Sequence, residues 1–193
     1  MFVPSGSSPI KNTSHKVVIP FYGYAAVSFL LATILMMLKT DAFTQHYFNP
    51  YTLAITHTMA LGWGTMIILG ASHQLFPVLI EGKLHSNVLA HLSFYFAAVG
   101  IPLLIFAFYK FDMGIIAQTG AILINLSIIS YITNLVVSIS KSKKGNVHAM
   151  FAITASFWLI LTTGLGLLLV YNFTHDVLSK DSLYYLSFHA HMG

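Results

Sequence analysis

The chain has 193 residues, 56% of them hydrophobic and only 7% charged, with a mean hydropathy of +0.78. Soluble domains carry about 25% charged residues, so composition alone assigns the chain to the membrane class. The absence of cysteine excludes disulfides, zinc ribbons, iron–sulfur clusters and covalently attached c-type haem. The net charge of +4 comes from lysines lying between apolar runs, a topological pattern that gives no reason to expect nucleic-acid binding.

Residues 1–16 are polar and carry no cleavable signal pattern, and read as a cytoplasmic amino-terminal segment. A transmembrane helical domain is expected over 17–193. Continuous apolar runs at about 17–38, 51–79, 87–109, 113–139 and 148–171 each approach or exceed the ~20 residues that a spanning helix needs. None shows the two-residue alternation of a barrel strand, so the spans must be helices that satisfy their own backbone. A sixth run starts at 183 and is about half a span long when the sequence reaches Gly193, which reads as the start of a span in a longer protein. The predicted fold class is therefore all-α: a polytopic transmembrane helix bundle with five full spans plus the start of a sixth.

Lysine sets the expected orientation. With the amino terminus cytoplasmic, the inner segments hold Lys11, Lys16, Lys83, Lys141, Lys143 and Lys144, while the outer Lys39, Lys110 and Lys180 each lie near an aspartate. The expected setting is a prokaryotic-type inner (plasma) membrane, crossed several times, with the lipid bilayer as partner. Short connections predict antiparallel neighbours, and glycines inside the spans, such as Gly114, Gly120, Gly164 and Gly166, permit close helix approach.

The second span reads YTLAITHTMALGWGTMIILGASHQLFPVL and holds no Asp, Glu, Lys or Arg, yet it carries His57 and His73. A histidine inside a membrane is costly and points to function. At 1.5 Å rise per residue, His57 falls roughly 9 Å below the outer boundary, His189 on the sixth run roughly 9 Å, and His191 roughly 12 Å. Three histidines from two helices thus share one layer. His189 and His191 are about 200° apart around their helix, so only one can face His57. A haem held by one imidazole from each of two helices fits that arrangement, and each ligating ring needs a partner for its other N–H. The alternative for these residues is a hydrogen bond across helices as polar glue. Gly62 and Gly64 leave room either for close helix packing or for a flat cofactor, and Trp63 either packs or stacks on a cofactor edge. His73 falls at the inner boundary near His85 and His91, where interfacial solvation is expected; a proton entry or a quinone-head contact is the alternative. Asn125 and Asn134, within the fourth span, face the bundle and are assigned no chemistry. No nucleophile–base set, carboxylate pair or phosphate loop occurs, so any chemistry belongs to a cofactor.

The run HTMALGW from His57 to Trp63, followed by ILGASHQLFP from Ile68 to Pro77, resembles the second helix of the haem–copper oxidase subunit I superfamily. It is most similar to the short subunit I-like proteins and to the branch holding C-type oxidases and nitric oxide reductases. His189-Ala190-His191 is similar to the family's His-x-His pair, which in that family sits on a later helix. The resemblance implies that His57 is an axial ligand of a low-spin haem b and that His189 or His191 completes the site. It also implies electron transfer within the membrane toward oxygen or nitric oxide reduction, with cytochrome c or a quinol as donor. A copper site would need residues beyond this chain, and no residues of a dinuclear centre are visible in it. Two readings stand beside this one: a non-enzymatic membrane protein that handles or senses haem or metal, and half of a transporter.

Overall fold

The computed structural model describes residues 13–142 and 147–192. The expected polar segment 1–16 therefore lies largely outside the described residues, as do Lys143, Lys144 and Gly193. Helix makes up 85% of the described residues, and no strand occurs among them. Five helices are long and apolar enough to cross a membrane: α1 (His15–Leu38), α2 (Pro50–Leu79), α3 (Asn87–Lys110), α4 (Ile115–Ser140) and α5 (Val147–His175). A short α6 (Ser182–Met192) follows. Helix α5 runs past the end expected at 171, to His175.

Asparagines fix where helices begin. Asn49 caps α2, its side-chain oxygen accepting from the Tyr51 and Thr52 amides at 3.1 and 3.0 Å, with Pro50 pre-set for the first helical position. Its Nδ2 donates to the Ala42 and His46 carbonyls at 3.0 and 2.7 Å, tying down the 3-10 turn Thr40–Thr44 that precedes the helix. Asn172 does the same for α6. It accepts from the Leu178 amide at 2.7 Å and donates to the Lys180 carbonyl at 3.2 Å and to Ser182 Oγ at 3.1 Å. These two side chains set the depth at which α2 and α6 start, and so the depth of every histidine on them.

Helix α2 is not uniform. Between the α-helical stretches Pro50–His57 and Met66–Leu79 lies a π-helical stretch, Thr58–Thr65. Its backbone bonds span one residue more than in an α-helix, a widening frequent at functional sites. Thr65 Oγ1 follows the wider spacing, donating to the Ala60 carbonyl at 2.9 Å.

Consecutive helices pack against one another, α3 against α4 most extensively. The crossing of those two depends on glycine. A Cβ at Gly120 would lie 2.7 Å from the Leu104 backbone nitrogen, and one at Gly100 would lie 2.8 Å from the Gly120 carbonyl oxygen. Backbone contact of this kind holds membrane helices together where no hydrophobic driving force separates helix from lipid. Buried polar pairs add to it. Ser127 Oγ donates to the Ser93 carbonyl at 2.7 Å, and Asn125 joins α4 to α5 by donating to the Thr163 carbonyl at 3.1 Å. Asn134, fully buried, clamps the loop before α3, accepting from the Ser86 amide and donating to the Ser86 carbonyl, both at 2.9 Å. The apolar core around these groups centres on Phe21, Met66, Leu69, Ile101 and Ile128.

Helix α6 lies against α5. Ser182 Oγ donates to the Leu169 carbonyl at 2.9 Å near its start, and Thr162 Oγ1 donates to the Met192 carbonyl at 2.8 Å at its far end. Both ends of α6 are thus fastened to α5, which fixes its rotation.

Candidate functional site

The rotation of α6 decides which of its histidines meets α2. The His189 imidazole lies nearly parallel to that of His57, at an interplanar angle of 9° with ring centroids 6.5 Å apart. His191 points elsewhere: its ring is exposed, and Nδ1 donates to the Ser187 carbonyl at 2.7 Å, within its own helix.

Each ring of the pair is positioned by its surroundings. His57 Nδ1 lies 2.8 Å from the Leu53 carbonyl. A carbonyl only accepts, so Nδ1 carries the proton and the neutral ring has its lone pair on Nε2. Phe108 of α3 flanks the same imidazole at 4.6 Å between centroids, tilted by 58°. The His189 ring rests on the bare backbone of Gly166, whose Cβ, if present, would lie 3.0 Å from His189 Cε1. The His189 Nδ1 is buried and has no partner among the described residues. His57 thus keeps a free lone pair on Nε2, and His189 keeps a buried Nδ1 without a partner among the described residues, on rings whose centroids are 6.5 Å apart.

Polar glue would join the rings nitrogen to nitrogen through a hydrogen bond near 3 Å, and none joins His57 to His189 among the bonds the structure describes. Two imidazoles on opposite sides of one metal ion, each bound at ~2 Å, have centroids about 6 Å apart, close to the separation found. Among the described residues no group of three or more His, Cys, Asp or Glu could hold a metal. A closed zinc site needs four protein ligands, whereas an iron already carried by a macrocycle needs only two axial ones. The donor set fits the second kind of guest.

The other residues proposed from the sequence have structural surroundings. Gly62 faces α1, where a Cβ would meet Ser28 Oγ at 2.7 Å, so the glycine serves the α1–α2 contact. Trp63 is 38% exposed and lies tilted against Phe29 of α1, 5.4 Å between centroids. Neither is among the ring contacts of the histidine pair. His73, expected at a solvated boundary, is instead 2% exposed. Phe21 covers it at 5.4 Å and Tyr131 meets it edge-on at 5.5 Å, and α1 provides the cover that depth along α2 alone does not reveal. His85 is exposed and pairs with Lys141 Nζ at 3.0 Å. Sequence reasoning missed Asn49 and Asn172, which set helix depth, and read Gly166 only as a point of close helix approach, which the structure puts to use under His189. An asparagine just before Pro50 was the available signal for the first.

The chain matches no family model, no curated protein and no solved structure.

Proposed function

We propose that this protein is a multi-pass membrane haem protein in which His57 and His189 are the axial ligands of a haem b. The observation that carries the reading is the near-parallel pair of rings on α2 and α6, 6.5 Å apart, in a site with no third metal-ligating side chain among the described residues. A bound haem would supply one-electron chemistry inside the bilayer. The chain's own residues prepare the site for it. The Leu53 carbonyl holds His57 in the tautomer that leaves Nε2 free. Gly166 lets the His189 ring come close to α5, and Phe108 walls His57 with apolar surface. His191 is a bystander on the outer face of α6.

The wider reading follows from the resemblance to haem–copper oxidase subunit I. The amino terminus is cytoplasmic, the membrane is a prokaryotic inner membrane, and electrons from cytochrome c or a quinol pass toward oxygen or nitric oxide reduction. That last step calls for a second metal centre, for which the described residues offer no group of three or more ligands.

Reduced-minus-oxidised optical spectra of the detergent-purified protein test the reading. A sharp low-spin b-type band is expected, lost in His57→Ala and in His189→Ala and retained in His191→Ala. Folded protein that takes up no haem refutes it. Loss of the band in His191→Ala, with retention in His189→Ala, refutes the assignment of the second ligand.

A further inference from the structure

His73 poses a separate question. Its Nδ1 lies 2.7 Å from the Leu69 carbonyl and is therefore the protonated nitrogen. Nε2 is left as a bare acceptor, buried and without a partner among the described residues. A buried polar atom left unsatisfied costs about 1–3 kcal/mol, and native proteins rarely leave one so. Beside it lies a cavity of about 10 Å³ lined by Ser72, His73, Tyr131 and Ser138, with Phe76 and Leu135 among its apolar walls.

That volume is about what one water occupies, and the wall carries the polar partners a buried water needs. Tyr131 and Ser72 line the cavity beside His73. Ser138 Oγ spends its proton on the Asn134 carbonyl at 2.6 Å and accepts from the His85 amide at 2.9 Å, which leaves it one lone pair for another donor. A water donating to His73 Nε2 and to Ser138 Oγ would satisfy the orphan and use the spare acceptor. Ser138 also ties the cavity wall to the loop where His85 is exposed.

We propose that this cavity is a binding site for one water molecule, which donates to His73 Nε2 and to Ser138 Oγ. The site is separate from the His57–His189 pair and does not depend on any haem.

Solid-state NMR of the full chain, labelled with 15N-histidine in lipid bilayers, reads the site directly. The His73 signals are assigned by their loss in His73→Gln. The expected result is a neutral ring protonated on Nδ1, a hydrogen-bonded acceptor Nε2, and rapid polarisation transfer to Nε2 from water. In Leu84→Phe, which enlarges an apolar wall residue without touching a polar one, that transfer is lost while the tautomer stays. A His73 Nε2 that receives no water transfer in the wild-type protein, or that carries the proton itself, overturns the proposal. Unchanged transfer in Leu84→Phe shows that the water lies outside this cavity and overturns it equally.

Discussion

Gly166→Ala tests the candidate site without touching either histidine. The added Cβ would lie 3.0 Å from His189 Cε1, 3.6 Å from Nε2 and 3.7 Å from Nδ1. Carbon atoms rest comfortably at about 3.5–4.0 Å, so the ring must retreat by roughly 0.5 Å or more. Metal–nitrogen bonds tolerate about 0.2 Å, so the retreat exceeds what coordination absorbs. Haem affinity should fall on the order of 10–100-fold, as when a residue supporting a ligand is lost. Gly164→Ala is the matched control in the same helix, because its Cβ would meet nothing closer than Asn125 Oδ1 at 3.9 Å. Both substitutions favour helix by about 0.8–1 kcal/mol, so lost binding in Gly166→Ala cannot be ascribed to a weakened α5. Haem titration of the apoprotein, followed optically and paired with thermal unfolding in detergent, gives both readouts. Wild-type affinity in Gly166→Ala, or an equal loss in Gly164→Ala, refutes the claim that His189 is a ligand seated on this glycine.

Three further outcomes concern the scaffold. Gly120→Ala should destabilise the α3–α4 crossing by about 1–3 kcal/mol, since its Cβ would lie 2.7 Å from a backbone nitrogen that cannot rotate away; a lowered thermal midpoint checks this. Glu81→Gly should raise stability by roughly 1 kcal/mol, because Glu81 sits at φ 50 where α2 ends and its side chain is exposed. Asn172→Ala should cost about 2 kcal/mol through the amide and hydroxyl partners it leaves unpaired. It should also weaken haem retention by loosening the start of α6, which a difference spectrum after washing would show; full retention would mean that α6 is set by other contacts.

Much of this was legible in the sequence because a bilayer simplifies the problem. Apolar run length gave the five long helices, and rise per residue brought His57 and His189 to one layer. The choice between His189 and His191 was not legible. It depends on the rotation of α6, fixed by Ser182 on Leu169 and Thr162 on Met192, and no periodicity within a short apolar helix encodes such contacts. His73 was misjudged for a related reason: depth along one helix says nothing of what a neighbouring helix covers. Asn125 and Asn134 were seen as buried polar residues, but their partners, Thr163 and Ser86, lie far off in sequence. The π-helical stretch was hidden as well, since a uniformly apolar span shows no break in pattern where its winding changes.

That stretch has a consequence for helical phase. On an uninterrupted α-helix, His57 and His73 would stand about 160° apart around the axis, on nearly opposite sides. Over Thr58–Thr65 each residue advances about 82° instead of 100°, which takes back roughly 140°. The two histidines therefore come almost into line along α2, one turned toward His189 and the other toward Tyr131. The slow winding acts as a gear between the two ends of the helix. Deleting one residue within it, with the winding of the rest unchanged, would turn everything downstream by about 80°, swinging His73 away from Tyr131 while leaving His57 in place.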